Sequence, residues 1–215
     1  MKTIVAIDGP AGSGKGVIAK RLSKLLNFVY IDTGATYRCV AVAVLENNLD
    51  INDKESIIKL TKSLDIKFID GKAYLNNIDV SEKIRSKEVN EIVSTLSSIV
   101  EVRNILVNLQ RKMAEGSNVI MEGRDITTVV FPNANYKFYI DASVDVRAER
   151  RYREFISKGF DITYDKVLEN IKFRDNNDIN KPVGSLTRTD EQIYIDTTTM
   201  SIDEIVTKMI NIIGE

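Results

Sequence analysis

Residues 9 to 16 of the chain read Gly9-Pro10-Ala11-Gly12-Ser13-Gly14-Lys15-Gly16, directly after the apolar residues 4–7. Glycine tolerates positive φ and allows close approach, so such a loop can aim backbone N–H groups at phosphate oxygens. A helical pattern carried by Ile18 and Leu22 follows the loop. The N-terminus of that helix adds partial positive charge, and Lys15 adds a cation. This order of strand, loop and helix predicts a nucleoside triphosphate site, although a glycine-rich turn with a surface lysine is the plain alternative.

The loop departs from the usual phosphate-binding motif just after its lysine. That motif has Ser or Thr there to ligate magnesium, whereas this chain has Gly16 and then Val17. Because Mg²⁺ retains several of its waters, we expect the nucleotide phosphates and water to hold it. The predicted nucleotide-binding residues are Gly9, Pro10, Ala11, Gly12, Ser13, Gly14, Lys15, Gly16 and Val17.

The composition suits one α/β domain with insertions, since 215 residues with 43% hydrophobic content can build a full core. A net charge of −1 offers no basic surface for nucleic acid. The lone Cys39 excludes an internal disulfide, and the lack of histidine excludes a Ser-His triad and histidine metal sites. There is neither a signal peptide nor an apolar run long enough to cross a bilayer, which predicts a cytoplasmic protein.

Five short apolar runs predict the strands of one sheet, and each run ends in a carboxylate. They cover residues 3–8, 28–32, 118–122, 137–141 and 192–196. Continuous apolar strands between helical patterns are typical of a parallel sheet with helices on both faces, in which ligands gather at the carboxyl ends. The terminal acids either line that site or simply end the strands at the solvent.

The stretch between the second and third strands is too long for one crossover helix. It contains the hairpin signal Asp70-Gly71 and a second turn at Asn76-Asn77, which predict a small antiparallel insertion. Ser201 and Glu204 form a capping box at the start of the last helix. Other helical patterns cover 35–46, 86–114 and 144–157. We expect a single domain over 1–215, with a core at about 1–34, 115–146 and 164–215, an inserted region at about 35–114 and a lid at about 147–163.

Two segments that follow predicted strands carry candidate binding groups. In Thr33-Gly34-Ala35-Thr36-Tyr37-Arg38, an arginine at a helix start can grip an anion with two N–H groups, although a surface arginine is the plain alternative. Glu122-Gly123-Arg124-Asp125 places a cation and two carboxylates at a strand end, which favours a binding site. Asp32 and Glu122 are candidates to position magnesium through water, and no direct protein ligand is predicted.

Four arginines lie close together on one predicted helix: Arg147, Arg150, Arg151 and Arg153. The spacing of i and i+4 puts Arg147 and Arg151 on one face. A solvated charged face is the usual interpretation. Phosphoryl transfer, however, needs cations over the migrating group, and a lid helix that closes on the triphosphate would supply them. We therefore predict Lys15, Arg147, Arg151 and Arg153 as catalytic residues.

Together these segments resemble the bacterial cytidylate kinases, P-loop enzymes that pass the γ-phosphoryl group of ATP to CMP or dCMP. The likeness runs from the first strand to the last helix, and the G-K-G ending of the loop is also similar to that of adenylate kinases. The segments that carry it are Ile7-Asp8-Gly9-Pro10-Ala11-Gly12-Ser13-Gly14-Lys15, Ile31-Asp32-Thr33-Gly34-Ala35-Thr36-Tyr37-Arg38, Gly123-Arg124-Asp125-Ile126-Thr127-Thr128-Val129-Val130-Phe131-Pro132 and Ile195-Asp196-Thr197-Thr198. The resemblance implies a P-loop fold with an extended monophosphate-binding region, ATP and Mg²⁺ as cofactors, and CMP and dCMP as acceptors. We expect a monomer, because the sequence shows no strong association stripe.

The resemblance also implies where the nucleoside monophosphate binds. Ser94, Arg103 and Asp125 would recognise cytosine, whose amine calls for an acceptor and whose ring acceptors call for donors. Lys181 stands where the family often has a phosphate-binding arginine, and lysine keeps the charge but loses the bidentate fork. The implied substrate-binding residues are Thr33, Tyr37, Arg38, Ser94, Arg103, Arg124, Asp125, Arg174, Asp178 and Lys181.

The same resemblance divides the rest of the substrate between two further groups of residues. Arg38 and Arg124, with Tyr37, would grip the CMP phosphate, and Arg174 and Asp178 would hold the ribose. From the residues alone, the segment around positions 174–181 could equally be a polar loop, although its cations and carboxylates suit a phosphate and a ribose.

Two alternatives stand beside this interpretation. One is another small-molecule P-loop kinase, acting on a different monophosphate or on a metabolite alcohol, against which the Gly123-Arg124-Asp125 segment and the inserted hairpin weigh. The other is a nucleotide-dependent switch or nucleic-acid-binding module. The sequence has neither the N-K-x-D guanine signature nor a D-x-x-G switch signature, and no basic surface is expected.

Overall fold

The computed structural model describes residues 2–69 and 71–214, so Asp70 of the predicted hairpin turn lies outside the described residues. The chain divides into two compact units. The first consists of Met1–Tyr30 with Gly116–Glu215, and the second is Ile31–Glu115. Each unit is built around a hydrophobic core of its own.

The chain contains the strands of two sheets and the helices that connect them. Over the described ranges the strands are β1 (Ile4–Asp8), β2 (Val29–Asp32), β3 (Ile66–Ile69), β4 (Lys72–Leu75), β5 (Ile78–Asp79), β6 (Val119–Gly123), β7 (Tyr136–Asp141) and β8 (Ile193–Asp196). The α-helices are α1 (Lys15–Leu26), α2 (Thr33–Glu46), α3 (Lys54–Ser63), α4 (Lys87–Leu96), α5 (Val100–Met113), α6 (Val144–Ser157), α7 (Tyr164–Ile179) and α8 (Ile202–Gly214). A 3-10 helix covers Lys83–Arg85, and a π-helical turn covers Ile126–Val130.

The five-stranded sheet has the strand order β2-β6-β1-β7-β8 and is parallel, as predicted. In the central strand Val5, Ala6 and Ile7 are all fully buried. Burial of this strand on both faces explains why it reads as a continuous apolar run rather than as an alternating one. All five predicted strands are confirmed, with ends that differ by at most one residue.

The first unit packs helices α1 and α8 together beside this sheet. Ile18 and Leu22 of α1 are buried, which confirms the helical spacing read after the loop. The capping box at α8 is also confirmed. Ser201 N donates to Glu204 Oε2 at 2.8 Å, and Glu204 N donates to Ser201 Oγ at 3.3 Å. Two orphan donors of the helix start are thereby satisfied.

The second unit contains the predicted antiparallel insertion, a sheet with the order β3-β4-β5. Asn76 and Asn77 have positive φ, 49° and 67°, and form the second turn. Helix α2 is buried over most of its length, including the free thiol of Cys39. Its apolar residues pack with the sheet and with the later helices of this unit in one core.

Serine hydroxyls interrupt the helical pattern of residues 86–114. Ser97 Oγ and Ser98 Oγ donate to Ser94 O, at 2.8 and 3.1 Å, so the side chains compete for backbone acceptors where α4 ends. The axes of α4 and α5 differ by 102°. No single helix in the described ranges is long and apolar enough to span a membrane, although this bent pair together satisfies length and composition.

Candidate active site

The glycine-rich loop lies between β1 and α1, and its backbone requires glycine. Gly9 has φ of 151°, and a Cβ there would lie 1.9 Å from Ile140 O on β7. Gly14 caps α1 with φ of 90°, so the helix begins at Lys15. The loop therefore combines left-handed backbone with a free helix N-terminus, the arrangement that binds phosphate.

Lys15 folds back across this loop. Its ammonium donates to Pro10 O at 2.7 Å and lies 3.3 Å from Ser13 Oγ, and only 4% of the residue is exposed. Burial, together with the positive charge of Arg124, lowers the pKa of Lys15 to about 7. A phosphate anion at the loop would favour the charged form of this amine, since an opposite charge stabilises it.

Two buried side chains fasten the loop to the rest of the first unit. Arg147 donates from Nη1 to Ala11 O at 3.0 Å and forms an ion pair with Asp175 at 2.7 Å. The Thr197 hydroxyl lies 3.2 Å from Ser13 O and 2.9 Å from Asp141 O. The loop is thus fixed on both sides before any ligand arrives.

The remaining arginines of α6 have different surroundings. Arg151 pairs with Glu154 at 2.6 Å and lies over the Phe155 ring. Arg153 is 77% exposed and pairs with Glu149. Arg147, Arg151 and Arg153 stay predicted catalytic residues. Arg150 is not among the predicted catalytic residues. Its guanidinium nevertheless lies near the loop, since it donates to Thr197 O at 2.7 Å and lies 3.9 Å from the Cβ position of Gly14.

Asp8, the last residue of β1, anchors the segment that follows β6. Its carboxylate accepts Ile126 N at 2.7 Å, Thr127 N at 2.9 Å and the Thr127 hydroxyl at 2.6 Å, and Gln192 also donates to that hydroxyl oxygen. The carboxylate is fully buried, and burial raises its pKa in spite of these donors. Asp8 therefore positions the residues after Arg124 and Asp125, a role that the sequence analysis did not assign.

Three of the predicted substrate residues form one charged cluster in the first unit. Arg124 Nε donates to Asp178 Oδ2 and Lys181 Nζ donates to Asp178 Oδ1, both at 2.8 Å. Burial alone would raise the pKa of Asp178, but the charges of Arg124 and Lys181 hold it well below its usual range. Arg174 is partly buried one helical turn before Asp178 on α7, and Asp125 is 5% exposed.

The carboxylate of Glu122 lies beside the first turn of α1. A Cβ on Gly16 would lie 3.1 Å from Glu122 Oε1, and the Tyr30 hydroxyl donates to the same oxygen at 3.2 Å. In the described part of the chain no cluster of three or more His, Cys, Asp or Glu side chains could hold a metal ion. One carboxylate and one hydroxyl beside a phosphate loop do fit Mg²⁺, which binds proteins through few ligands and retained waters.

Other acids at strand ends stabilise turns. Asp32 caps α2 by accepting Ala35 N at 3.1 Å, Asp141 accepts Ala142 N at 2.7 Å, and Asp196 accepts Thr198 N at 2.8 Å. Glu122 thus lies beside the loop, whereas these three carboxylates satisfy backbone donors, and of the three only Asp196 is exposed at its strand end.

The other predicted substrate residues belong to the second unit. Arg38 donates to Ile84 O at 3.0 Å and to Asn90 Oδ1 at 2.8 Å. The buried Arg103 lies with its guanidinium carbon 5.5 Å from the centre of the Tyr37 ring and donates to Ser97 O at 3.0 Å.

The last two predicted substrate residues of the second unit are described by their burial and their place on a helix. Thr33 is buried at the start of α2, and Ser94 is partly buried in the last turns of α4.

Comparison with known proteins agrees with this arrangement of loop, sheet and insertion. The cytidylate kinase family model matches residues 5–215. A cytidylate kinase of Fusobacterium nucleatum subsp. nucleatum is 50% identical over 203 residues, covering 94% of this chain and 93% of the relative. A cytidylate kinase of Caldanaerobacter subterraneus subsp. tengcongensis is 47% identical over 205 residues, covering 95% and 92%.

Solved structures support the fold alone. An uncharacterised protein from Eubacterium ventriosum superposes with a TM-score of 0.56 at 14% identity, covering 100% of this chain and 99% of the other. A shikimate kinase from Bacteroides thetaiotaomicron gives a TM-score of 0.52 at 10% identity, covering 99% of each. With a family match that spans nearly the whole sequence, this chain belongs to the cytidylate kinase family.

Proposed function

We propose that this enzyme transfers the γ-phosphoryl group of ATP to CMP or dCMP, giving ADP and CDP or dCDP. The observation that carries the proposal is the buried Lys15 lying across a glycine loop at a helix N-terminus, in a member of the cytidylate kinase family. ATP is the donor that a kinase of this family uses, and the acceptor is a small nucleotide.

The transfer is direct and in line. An oxygen of the acceptor phosphate bonds to the γ-phosphorus of ATP as the bond to the β,γ-bridging oxygen breaks, and ADP leaves. That oxygen is already anionic, so no general base is required. Lys15 stabilises the charge on the transferring group together with Arg147, Arg151 and Arg153 of α6. Arg147 and Thr197 also keep the loop in place. Glu122 would hold magnesium through water, and the ion would supply positive charge for the phosphates of ATP.

On the acceptor side, we assign each group by its chemistry. Arg124 is kept charged and oriented by Asp178, which suits it to a phosphate. Arg38 and Tyr37 serve the same phosphate, and Arg174 and Asp178 serve the ribose.

We assign the remaining residues to the cytosine ring. Ser94, Arg103 and Asp125 provide the donors and acceptors that its edge requires. Lys181 adds charge near the phosphate through its contact with Asp178.

We further propose that the residues from about 147 to 163 act as a lid, that the enzyme works as a monomer, and that it acts in the cytoplasm on free nucleotides rather than on nucleic acid or a membrane. Arginines on α6 support the lid, since closure over the triphosphate would exclude water.

The test is ADP formation with MgATP and a panel of acceptors: CMP, dCMP, UMP, AMP and metabolite alcohols such as shikimate. We expect CMP and dCMP to be the best acceptors. Preference for an alcohol would point to a different small-molecule kinase, and ATP hydrolysis indifferent to every acceptor would point to a nucleotide switch. Either result contradicts the proposal.

A substitution test compares Lys15→Ala with the control Lys20→Ala. Both lysines are on α1, but Lys20 is exposed. Lys15→Ala should lower turnover about 100-fold or more with the fold retained, because it removes a preorganised cation from the transferring phosphoryl group. Lys20→Ala should leave turnover unchanged. Near-normal activity of a folded Lys15→Ala variant would refute the assignment.

A further inference from the structure

We propose that the hydroxyl of Tyr30 positions Glu122 for the magnesium of MgATP and supplies the hydroxyl that the phosphate loop lacks after its lysine. Tyr30 is thus a positioning residue for the phosphoryl transfer. The inference rests on the proposed function, because it concerns the metal that accompanies ATP.

The phosphate loop has no side-chain hydroxyl directly after Lys15. The residue after the loop lysine ordinarily carries a hydroxyl for magnesium, but here that residue is Gly16, and the next is the apolar Val17. Val17 is 57% exposed and has no oxygen in its side chain. Residues 16 and 17 therefore offer no side-chain oxygen to magnesium or its waters, and any such protein oxygen at this corner comes from elsewhere in the chain.

The structure places such an oxygen there. A Cβ on Gly16 would lie 3.5 Å from the Tyr30 hydroxyl and 3.1 Å from Glu122 Oε1, so both oxygens border the space that a residue-16 side chain would fill. Tyr30 is on β2 and Glu122 is near the end of β6, and these strands are neighbours in the parallel sheet. The absence of a side chain at residue 16 leaves room for both groups.

The chemistry of the contact fits a positioning role. The Tyr30 hydroxyl donates to Glu122 Oε1 at 3.2 Å, which restricts the orientation of the carboxylate. A phenol oxygen that donates its proton keeps lone pairs, so it can also accept from a water bound to magnesium. Tyr30→Phe would remove both properties while keeping the ring.

The test measures ATP binding rather than turnover. The affinity for ATP is determined calorimetrically in EDTA and then over a range of Mg²⁺ concentrations. For Tyr30→Phe we expect unchanged affinity in EDTA and a half-saturating Mg²⁺ concentration raised about 3- to 10-fold, the range for loss of one hydrogen bond. In turnover, the defect should be largest at low Mg²⁺ and should shrink as Mg²⁺ is raised.

The matched control is Tyr136→Phe. Tyr136 is on β7 of the same sheet, and its hydroxyl donates to Ile213 O at 2.9 Å, so this variant also loses one tyrosine hydrogen bond. Its Mg²⁺ curve should coincide with that of the wild type. The proposal would be overturned if Tyr30→Phe and Tyr136→Phe raised the half-saturating Mg²⁺ concentration equally. It would also be overturned if Tyr30→Phe lost as much ATP affinity in EDTA as it loses with Mg²⁺, because either result would reveal a general structural effect.

A double-mutant cycle gives a second, independent readout. Glu122→Gln should also raise the half-saturating Mg²⁺ concentration, and adding Tyr30→Phe to it should cause a smaller further shift than Tyr30→Phe causes in the wild type, because the hydroxyl acts partly through the carboxylate. Fully additive shifts would overturn the inference. If the wild type binds MgATP but transfers no phosphoryl group to CMP, the proposed function fails, while the Mg²⁺ comparison still decides the role of Tyr30.

Discussion

Lys15 shows how burial prepares a single residue for its ligand. In the free protein its ammonium is enclosed by the loop, and burial lowers its pKa from 10.5 to about 7. The amine is therefore mostly neutral at pH 8. A bound triphosphate brings negative charge to the same place, and an opposite charge raises the pKa of an amine. Binding should thus convert a neutral amine into an ammonium ion.

We predict that binding of ATP at pH 8 takes up close to one proton per protein, because Lys15 becomes protonated. At pH 6, where the amine is already charged in the free protein, this uptake should be nearly absent. Calorimetric titration in buffers of different ionisation enthalpy measures the number of protons. Lys15→Met should abolish the uptake, and Lys20→Met should leave it intact. Proton uptake that is the same at both pH values would contradict the prediction.

The loop residues could be read from the sequence because their spacing has a direct chemical meaning. Gly9 has positive φ and Lys15 begins α1, so the backbone freedom and the cation at a helix start that the spacing predicts are both present. Asp8 is one of the strand-end acids that the sequence pattern singles out, whereas Tyr30 carries no such signal. The contacts of neither residue can be read from the sequence, since their partners Thr127 and Glu122 lie far along the chain.

Asp8 links two elements, and its loss should be costly for that reason. It accepts two backbone N–H groups and one hydroxyl at the start of the π-helical turn after β6. In Asp8→Asn, one of the two accepting oxygens becomes an NH₂ group, which is itself a donor. At least one of these donors would then lose its acceptor inside a fully buried site. We predict a loss of about 2–4 kcal/mol in the free energy of unfolding, measured by chemical denaturation.

The matched substitution for this prediction is Asp196→Asn, at the end of β8. Asp196 is exposed and accepts Thr198 N through Oδ1, a contact that asparagine can retain. The expected change is within about 0.5 kcal/mol. Similar losses for both variants would show that burial of the Asp8 carboxylate is not what makes it important.

Elements were predicted most reliably where one physical signal dominates. The five parallel strands are short apolar runs, and their ends fall within a residue of the prediction. The central strands β1 and β6 are buried nearly throughout, which is the physical origin of that signal. Helix α3 was not predicted, since only Ile57 and Thr61 of its residues are buried and the apolar pattern is short. Its capping residue was a usable signal, because Asp53 accepts Ser56 N at 3.1 Å.

At the scale of the whole molecule, the chain consists of a nucleotide-binding unit and an inserted unit, each with its own core. The phosphate loop and Glu122 belong to the first unit. The residues implied for CMP are divided, because Arg124, Asp178 and Lys181 belong to the first unit whereas Tyr37, Arg38 and Arg103 belong to the second. ATP and CMP should therefore slow amide hydrogen exchange in different sets of residues.

We predict these patterns for amide hydrogen exchange. A non-hydrolysable ATP analogue with Mg²⁺ should slow exchange mainly in residues 9–17, because its phosphates accept hydrogen bonds from that backbone. CMP alone should slow exchange in two regions of the second unit, 33–38 and 94–103, and around 123–127 in the first. AMP at the same concentration is the control and should protect the second unit less, because we assign Ser94 and Arg103 to cytosine. Protection by CMP that is confined to the first unit would contradict the assignment of Tyr37, Arg38, Ser94 and Arg103 as substrate-binding residues.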